Sequence, residues 1–286
     1  MITDTLKLIE CPRDAMQGIH DYIPVETKAT YINQLLKVGF DTIDVGSFVS
    51  PKAIPQMRDT SQLMDLLDLT ESSSKLSVIV ANRRGAHDAI AFDQVDYLGY
   101  PFSISETFQL RNTNATIEKS LQRVADIQAI AIKHSKELLI YISMAFGNPY
   151  GDEWNVEIAE EYVVKLRSMG INRFSLSDTI GVSTPESIQY LFENLIPLFP
   201  DAYFNAHLHT TPDKWEEKVH AAYQSGCRSF DGAIKGYGGC PMAKDELTGN
   251  MPMENMISYF DKHNIATGLD MDAFGVALSG STEVFL

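Results

Sequence analysis

Short apolar runs alternate with amphipathic stretches along most of the chain. Eight runs have the length and residue types of strands and predict strands at 6–11, 40–45, 76–80, 95–98, 138–145, 173–177, 202–208 and 229–234. Stretches with helical spacing predict helices at 24–38, 55–67, 83–92, 117–135, 156–169 and 212–224, with two more beginning near 185 and 252. Glycines support several of the helix ends, at Gly39, Gly170 and Gly226.

The order of these elements predicts the fold. Strands that alternate with helices form parallel sheets, because each helix carries the chain back to the start of the next strand. Eight such units in 286 residues predict a (β/α)8 TIM barrel, whose typical length is about 250 residues. No linker divides the chain, so we expect a single domain over 1–286. A doubly wound open sheet is the alternative, but no Gly-x-Gly-x-x-Gly or Walker-type loop is present.

Some connecting segments carry expectations of their own. Pro12-Arg13-Asp14 is expected to end the first strand in a loop, and 46–52 is the loop after the second strand. The glycine-rich segment 235–249, here called the lid loop, is expected to move over the active site. The tail, 268–286, is weakly patterned and either packs as a last helix or stays partly mobile.

His207 and His209 lie at the end of the seventh predicted strand. Residues two apart on a strand point to the same face, so the two imidazoles project together while Leu208 points away. Two neighbouring imidazoles make half of a divalent-metal site. The alternative is that they are core or surface histidines that only hold hydrogen bonds.

In a (β/α)8 barrel the chemistry lies at the mouth, the end where the carboxyl ends of the strands meet. Asp14 follows the first strand and Asn250 follows the eighth, so both are expected beside the histidines. A carboxylate, an amide oxygen and two imidazoles suit Mg2+ or Mn2+ and not a closed structural zinc site, which would favour thiolates. The alternatives are a turn-forming or salt-bridged Asp14 and an Asn250 that caps a helix.

Other polar residues follow the strands at the same end. Arg13 can bind negative charge that develops on an enolate or carboxylate oxygen, or it can form a structural ion pair with Glu10 or Asp44. Cys240 lies in the lid loop and can give or take a proton, or it can be a small buried residue in a turn. Further polar candidates for the mouth are Gln17, Asp44, Ser47 and Asp178.

Composition limits the partners. A net charge of −15 argues against a nucleic-acid partner or a polybasic membrane contact, although a small basic pocket can still bind an anionic substrate. The three widely spaced cysteines are expected to be reduced thiols of a cytoplasmic protein. No signal peptide is visible, and no apolar run reaches the ~18 residues of a membrane span. A homodimer is possible.

Short motifs occur along the chain in the order found in one known family. They are Pro12-Arg13-Asp14 with Gln17, Ser47-Phe48-Val49-Ser50-Pro51-Lys52 with Pro55-Gln56-Met57, Asp178-Thr179-Ile180-Gly181, His207-x-His209, Gly238-Gly239-Cys240-Pro241 and Gly249-Asn250. On these motifs, which span residues 6 to about 260, the chain resembles the 3-hydroxy-3-methylglutaryl-CoA lyase family. The family belongs to the metal-dependent TIM-barrel lyases and synthases.

The resemblance implies a role for each matched residue. It implies a metal ion held by Asp14, His207, His209 and Asn250, with Arg13 stabilising the enolate of acetyl-CoA and Cys240 helping to protonate it. It implies that the substrate lies near Gln17, Asp44, Ser47, Lys52 and Asp178. Lys52 and Lys235 are candidates for contacts with CoA phosphates or a carboxylate. Two positions depart from the family pattern: Asp44 replaces the usual Glu, and Thr210-Thr211-Pro212-Asp213 replaces Asp-Thr-Tyr-Gly.

The function implied is cleavage of a 3-hydroxyacyl-CoA, with a CoA thioester as the small-molecule partner. From 3-hydroxy-3-methylglutaryl-CoA the products are acetyl-CoA and acetoacetate. One alternative is a condensing synthase or metal aldolase of the same superfamily. Another is a barrel that binds a CoA ester without catalysis.

Overall fold

The computed structural model describes residues 5–239 and 248–285, in which eight parallel strands close into a barrel. Each strand pairs with the next, and the last pairs with the first. The strands are β1 (Lys7–Glu10), β2 (Thr42–Ser47), β3 (Lys75–Ile79), β4 (Val95–Ser103), β5 (Glu137–Ser143), β6 (Arg173–Ser177), β7 (Tyr203–His207) and β9 (Ser229–Gly232). The closed sheet confirms the predicted (β/α)8 barrel and excludes the open sheet.

Helices connect the strands. They are α1 (Pro12–Gln17), α2 (Val25–Leu35), α3 (Thr60–Asp65), α4 (Arg83–Ala89), α5 (Glu106–Thr113), α6 (Ile117–Lys133), α7 (Val156–Arg167), α8 (Pro185–Leu198), α9 (Trp215–Gln224), α10 (Met253–Lys262) and α11 (Met271–Phe285). Side chains cap several of their first turns, as where Asn82, Thr116 and Asn155 accept from backbone N–H groups. The longer helices bury an apolar face, for example through Val124 and Ile127 on α6. None of the helices in the described part of the chain has the length and apolar character of a membrane span.

The chain enters a helix directly after β1, where the sequence analysis expected a loop. Pro12 occupies the first turn of α1, where its fixed φ suits the helix and its missing N–H costs nothing. Gly18 follows as the residue that caps the end of the helix. Arg13 and Asp14 are therefore held on a short helix at the mouth and are not part of a loop.

Three other elements differ from the expectation. β4 extends to Ser103 and includes Pro101, although a proline usually indicates the end of a strand. α5 was not predicted, because its apolar residues have no clear helical spacing. The predicted helix 55–67 is divided into a 3-10 turn, Pro55–Met57, and α3.

The tail forms α11, which is the first of the two outcomes expected for it. The expectation of a single domain over 1–286 stays a prediction.

Two very short strands join the histidine segment to the end of the lid loop. β8 (His209–Thr210) pairs in an antiparallel direction with β10 (Gly249–Asn250), and His209 lies opposite Asn250. This pairing brings two of the predicted metal ligands together, although 41 positions separate them in the sequence (250 − 209).

The last helix lies against α2 and reaches the lid loop. The ring of Phe285 stacks on Tyr237 with centroids 4.3 Å apart and meets Tyr31 edge-on at 5.9 Å. Lys235 donates a hydrogen bond from Nζ to Thr282 Oγ1 at 3.1 Å. α11 therefore anchors the first residues of the lid loop.

Candidate active site

Arg13 and Asp14 are buried at the mouth, with only 6% and 8% of their surfaces exposed. A buried guanidinium is stable only when its charge and its N–H groups are matched. Arg13 donates from Nη1 to Asp14 Oδ1 at 2.9 Å and to Gln17 Oε1 at 2.8 Å, and from Nε to Asp44 Oδ2 at 2.9 Å. The ion pair with Asp44, which the sequence left open as an alternative, is therefore present.

Asp14 accepts hydrogen bonds on both carboxylate oxygens. Gln17 Nε2 donates to Oδ1 at 2.8 Å, and Asn250 Nδ2 donates to Oδ2 at 2.8 Å. Burial alone would raise the pKa of Asp14. Arg13, the histidines at 207 and 209 and Asn250 outweigh burial and lower this pKa to about 2. Asp14 is therefore an ionised carboxylate at neutral pH.

The two histidines direct their rings to the same place. Their ring centroids are 5.2 Å apart. His207 Nδ1 lies 2.8 Å from Asp231 Oδ2, and His209 Nδ1 lies 3.2 Å from the carbonyl oxygen of Thr179. A carbonyl only accepts, so His209 carries a proton on Nδ1 and presents the lone pair of Nε2. In the described part of the chain, this Nε2 atom is buried without a hydrogen-bond partner.

Asp14, His207 and His209 form a group that can hold a metal ion. Each offers one ligand atom, and the three atoms lie within 4.8 Å of one another. A buried nitrogen without a partner is unfavourable, and an ion bound between it and the carboxylate would satisfy it. The donor set of these residues therefore fits a divalent metal ion, as the sequence analysis predicted.

Asn250 lies beside this group but presents its amide nitrogen. Nδ2 donates to Asp14 Oδ2 and also to the carbonyl oxygen of Tyr237, both at 2.8 Å. An amide N–H2 group is a donor and not a metal ligand. The amide oxygen of Asn250 as a fourth ligand therefore stays a prediction.

The pKa shifts of the neighbouring side chains follow from burial and from their partners. Burial and then the charge of His207 lower the pKa of His209 to about 4, so its imidazole is neutral at pH 7. Burial lowers the pKa of His207, but the Asp231 carboxylate outweighs it and raises this pKa. Burial raises the pKa of Asp44 to about 6 in spite of Arg13. A neutral His209 and an ionised Asp14 are the protonation states that bind metals.

The remaining predicted residues lie around the mouth in different environments. Ser47 ends β2, and its Oγ accepts from the backbone N–H of Val49 at 3.2 Å. Lys52 is exposed in the following loop. Asp178 follows β6 and is 1% exposed, and Ser183 and Lys218 occupy its carboxylate. Substrate contacts of these residues stay predictions.

Cys240 lies outside the described residues, so its role as a lid thiol stays a prediction. The lid loop nevertheless begins directly over the metal-ligand group. A Cβ atom added at Gly238, whose φ is +84°, would lie 2.7 Å from the carbonyl oxygen of Asp14. Only glycine allows the backbone to pass so close to α1 in this conformation.

Three residues that contact the site carry no clear signal in the sequence. Asp231 lies within the eighth predicted strand, and a single acidic residue between Phe230 and Gly232 does not by itself indicate a functional site. Tyr141 meets the ring of His207 edge-on at 5.7 Å, but an aromatic residue on a strand is also typical of a core. Lys218 occupies a helix position that reads as exposed.

The fold and the site define a (β/α)8-barrel protein with a candidate metal centre at its mouth. The HMGL-like family model matches residues 6–278. The chain belongs to this family, which confirms the resemblance drawn from the motifs.

Two relatives of the chain are named as lyases of CoA esters. The chain is 31% identical over 271 residues to the rat "3-hydroxy-3-methylglutaryl-CoA lyase, cytoplasmic", covering 94% of the chain and 78% of the relative. It is 31% identical over 269 residues to a Pseudomonas aeruginosa "3-hydroxy-3-isohexenylglutaryl-CoA/hydroxy-methylglutaryl-CoA lyase", covering 94% and 89%. An HMG-CoA lyase structure from Acinetobacter baumannii, in complex with coenzyme A and 3-methylmalate, superposes with a TM-score of 0.91 at 28% identity, covering 100% and 92%.

Proposed function

We propose that the chain is a divalent-metal-dependent carbon–carbon lyase that cleaves 3-hydroxy-3-methylglutaryl-CoA to acetyl-CoA and acetoacetate. The observation that carries this proposal is the convergence of Asp14, His207 and His209 on one point beside the Arg13 guanidinium. The names of the relatives and the coenzyme A in the Acinetobacter structure support the choice of substrate.

Asp14, His207 and His209 would hold the metal ion, with Asn250 as the predicted fourth ligand. When bound, the metal supplies Lewis acidity that lowers the pKa of a substrate hydroxyl. We propose Mg2+ or Mn2+ as the native ion. A carboxylate with two imidazoles suits hard or borderline ions, whereas a closed structural zinc site would favour thiolates.

Arg13 would balance the negative charge of the product enolate. When the bond between C2 and C3 of the substrate breaks, its electron pair moves toward the thioester oxygen of the departing acetyl-CoA. Asp14, Gln17 and Asp44 hold the Arg13 guanidinium in one orientation, so it does not need to reorganise as the charge develops. Four of its five N–H bonds have acceptors among the described residues, and the remaining Nη2 N–H would be the donor for a substrate oxygen.

Two proton transfers complete the reaction. The 3-hydroxyl loses its proton before the carbon–carbon bond breaks, and His207 or Asp14 is the group that takes it. Asp231 would orient the His207 imidazole, because its Oδ2 lies 2.8 Å from His207 Nδ1. The enolate carbon then gains a proton, and Cys240 is the predicted donor. The products are acetyl-CoA and a keto acid, so atoms and charges balance.

A coupled assay for acetyl-CoA tests this proposal directly. Protein stripped of metal with EDTA should be inactive, and addition of Mg2+ or Mn2+ should restore cleavage of 3-hydroxy-3-methylglutaryl-CoA. His209→Ala should reduce kcat by at least about 100-fold, because it removes a metal ligand. Full activity in EDTA, or in His209→Ala, would contradict the metal-dependent mechanism.

The same assay identifies the acyl group and excludes the alternatives. A panel of 3-hydroxyacyl-CoA esters with longer 3-substituents tests the breadth that the name of the Pseudomonas relative suggests. Net condensation of acetyl-CoA with a 2-oxo acid, without ester cleavage, would support a synthase. Tight binding of the ester without turnover under any divalent ion would support a non-catalytic barrel.

We also propose that the protein works in the reducing cytoplasm. Cys11 and Cys227 are buried free thiols, which agrees with a reducing compartment, and the rat relative is named as cytoplasmic. The homodimer stays a prediction, which sedimentation of the purified protein would test.

A further inference from the structure

Lys218 on α9 is a lysine with only 1% of its side chain exposed. An ammonium group loses its hydration when it is buried, so it is retained only where oxygens replace the water. The resemblance to the lyase family assigned no role to this residue, and the proposed reaction does not use it. Its contacts therefore need a separate explanation.

Three oxygen atoms surround the Lys218 ammonium group. Nζ donates to Asp178 Oδ2 at 2.9 Å, to the carbonyl oxygen of His209 at 2.7 Å and to that of Gly181 at 3.3 Å. These acceptors come from the loop after β6 and from β8. Lys218 thus joins two segments of the mouth that lie next to each other but have no other charged link in the described residues.

The same two segments determine the orientation of His209. Its backbone carbonyl is held by Lys218, and its Nδ1 contacts the carbonyl oxygen of Thr179 in the loop after β6. Asp178, the residue before Thr179, also donates its backbone N–H to the carbonyl oxygen of His207 at 2.9 Å. The position of this loop therefore determines where His209 Nε2 points.

We propose that Lys218 is a positioning residue that fixes His209 Nε2 toward the metal ion and thereby sets the affinity of the site for metal. This role rests on the proposed metal centre. Without the three hydrogen bonds, the loop after β6 and β8 separate, and the carbonyl oxygen of Thr179 no longer holds the imidazole at one angle. Partners that orient a metal ligand commonly change metal affinity by about 10- to 100-fold when they are removed.

The experiment measures Mn2+ binding to metal-free protein, without substrate, from the electron paramagnetic resonance signal of free Mn2+. Lys218→Met keeps most of the length of the side chain and removes the ammonium group that makes all three hydrogen bonds. We expect it to raise the Kd for Mn2+ by about 10- to 100-fold. Lys218→Arg keeps the charge and should recover part of the affinity. The visible spectrum of the Co2+-loaded protein should change in Lys218→Met, because the angle of one nitrogen ligand changes.

Lys28 provides a matched control. It is also a fully buried lysine, and its Nζ donates to Asp59 Oδ1 at 2.8 Å on the α2 side of the barrel. Lys28→Met should destabilise the protein in a similar way but leave the Kd for Mn2+ within about twofold of the wild-type value. An equal loss of Mn2+ affinity in both variants would overturn the role of Lys218, because the effect would then reflect general destabilisation.

A second variant covers the case in which Lys218→Met does not fold. Lys218→Met combined with Asp178→Asn removes the ion pair as a unit and leaves no buried charge unpaired. Wild-type Mn2+ affinity in a folded single or double variant would overturn the proposal.

The outcome also separates this role from the proposed reaction. If Lys218→Met weakens Mn2+ binding while the wild-type protein fails to cleave the CoA ester, the positioning role stands and the proposed function is wrong. If the wild-type protein cleaves the ester and Lys218→Met binds Mn2+ normally, the proposed function stands and the positioning role is wrong.

Discussion

Buried charged side chains surround the mouth of the barrel, and most of them are paired. Arg13 is matched by Asp14 and Asp44, and Lys218 is matched by Asp178. Glu10 differs from these residues. It is fully buried at the end of β1, its Oε1 accepts from the backbone N–H of Ile234 at 2.9 Å, and its Oε2 has no partner among the described residues. Burial therefore raises the pKa of Glu10 well above its ordinary value.

This shift predicts a pH dependence of stability. The folded state retains the proton of Glu10 at pH values where the unfolded state has lost it, so the folded state binds more protons. The free energy of unfolding should therefore fall as the pH rises above about 4.5, by up to about 1.4 kcal/mol per pH unit, until Glu10 ionises in the folded state.

Glu10→Gln should remove this pH-dependent part of the free energy of unfolding. Urea unfolding between pH 5 and pH 8 should show the variant gaining stability relative to the wild type as the pH rises. The exposed Glu118→Gln on α6 is the control and should follow the wild-type curve. A constant difference between Glu10→Gln and wild type at every pH would contradict the shift.

At the residue scale, local spacing predicted some site residues and could not predict others. His207 and His209 were predicted because a strand places residues two apart on one face. Asp231 and Lys218 act through partners distant in the sequence, and only the closed barrel brings them to the histidines. Their roles depend on tertiary contacts that no local pattern records.

At the element scale, the short helix α1 and the lid loop act together. α1 presents Asp14 to the histidines, and the backbone of Gly238 packs directly on the carbonyl oxygen of Asp14. A side chain at Gly238 would also approach Asn250 Nδ2 to 2.9 Å. The first residues of the lid loop therefore leave no room for a side chain between Gly238 and α1.

Gly238→Ala should displace Asp14 and reduce both Mn2+ affinity and kcat by at least about tenfold, because small displacements of a ligand are costly at a metal site. Gly151 provides the control, since its φ of +80° is similar and a Cβ there would meet nothing within 4 Å. Gly151→Ala should lower the free energy of unfolding by about 1–2 kcal/mol, because alanine is strained at this φ, but it should not lower the metal affinity. Similar Mn2+ affinity in the two variants would show that the contact with Asp14 has no functional effect.

The elements were predicted best where an apolar pattern was strong. β6 has the predicted bounds, 173–177, because Phe174 and Leu176 alternate with serines between clear turn signals. α1 was missed because six residues that begin with proline resemble a turn. β4 was predicted too short, since Pro101 is unusual within a buried strand.

At the scale of the whole molecule, the net charge opposes the charge of the proposed substrate. The chain carries a net charge of −15, and a CoA thioester is a polyanion. Long-range repulsion should slow their association at low ionic strength, and salt screens this repulsion over about 8–10 Å.

We therefore expect kcat/KM for the CoA ester to rise, by roughly two- to fivefold, when the KCl concentration increases from 10 to 150 mM. The kcat at saturating substrate should change much less, because it does not depend on the rate at which the substrate and the protein associate. A fall in kcat/KM over this range would show that local basic groups at the mouth dominate the approach of the substrate.

The stacking of Phe285 on Tyr237 has a practical consequence for work with this protein. Phe285 lies at the end of α11, and Tyr237 accepts from the amide of Asn250 next to Asp14. A segment fused at the α11 end of the chain should thus affect the metal-ligand group. β1, in contrast, begins at the opposite end of the barrel from the mouth. Purification tags and immobilisation linkers should therefore disturb the site less at the β1 end of the chain than at the α11 end.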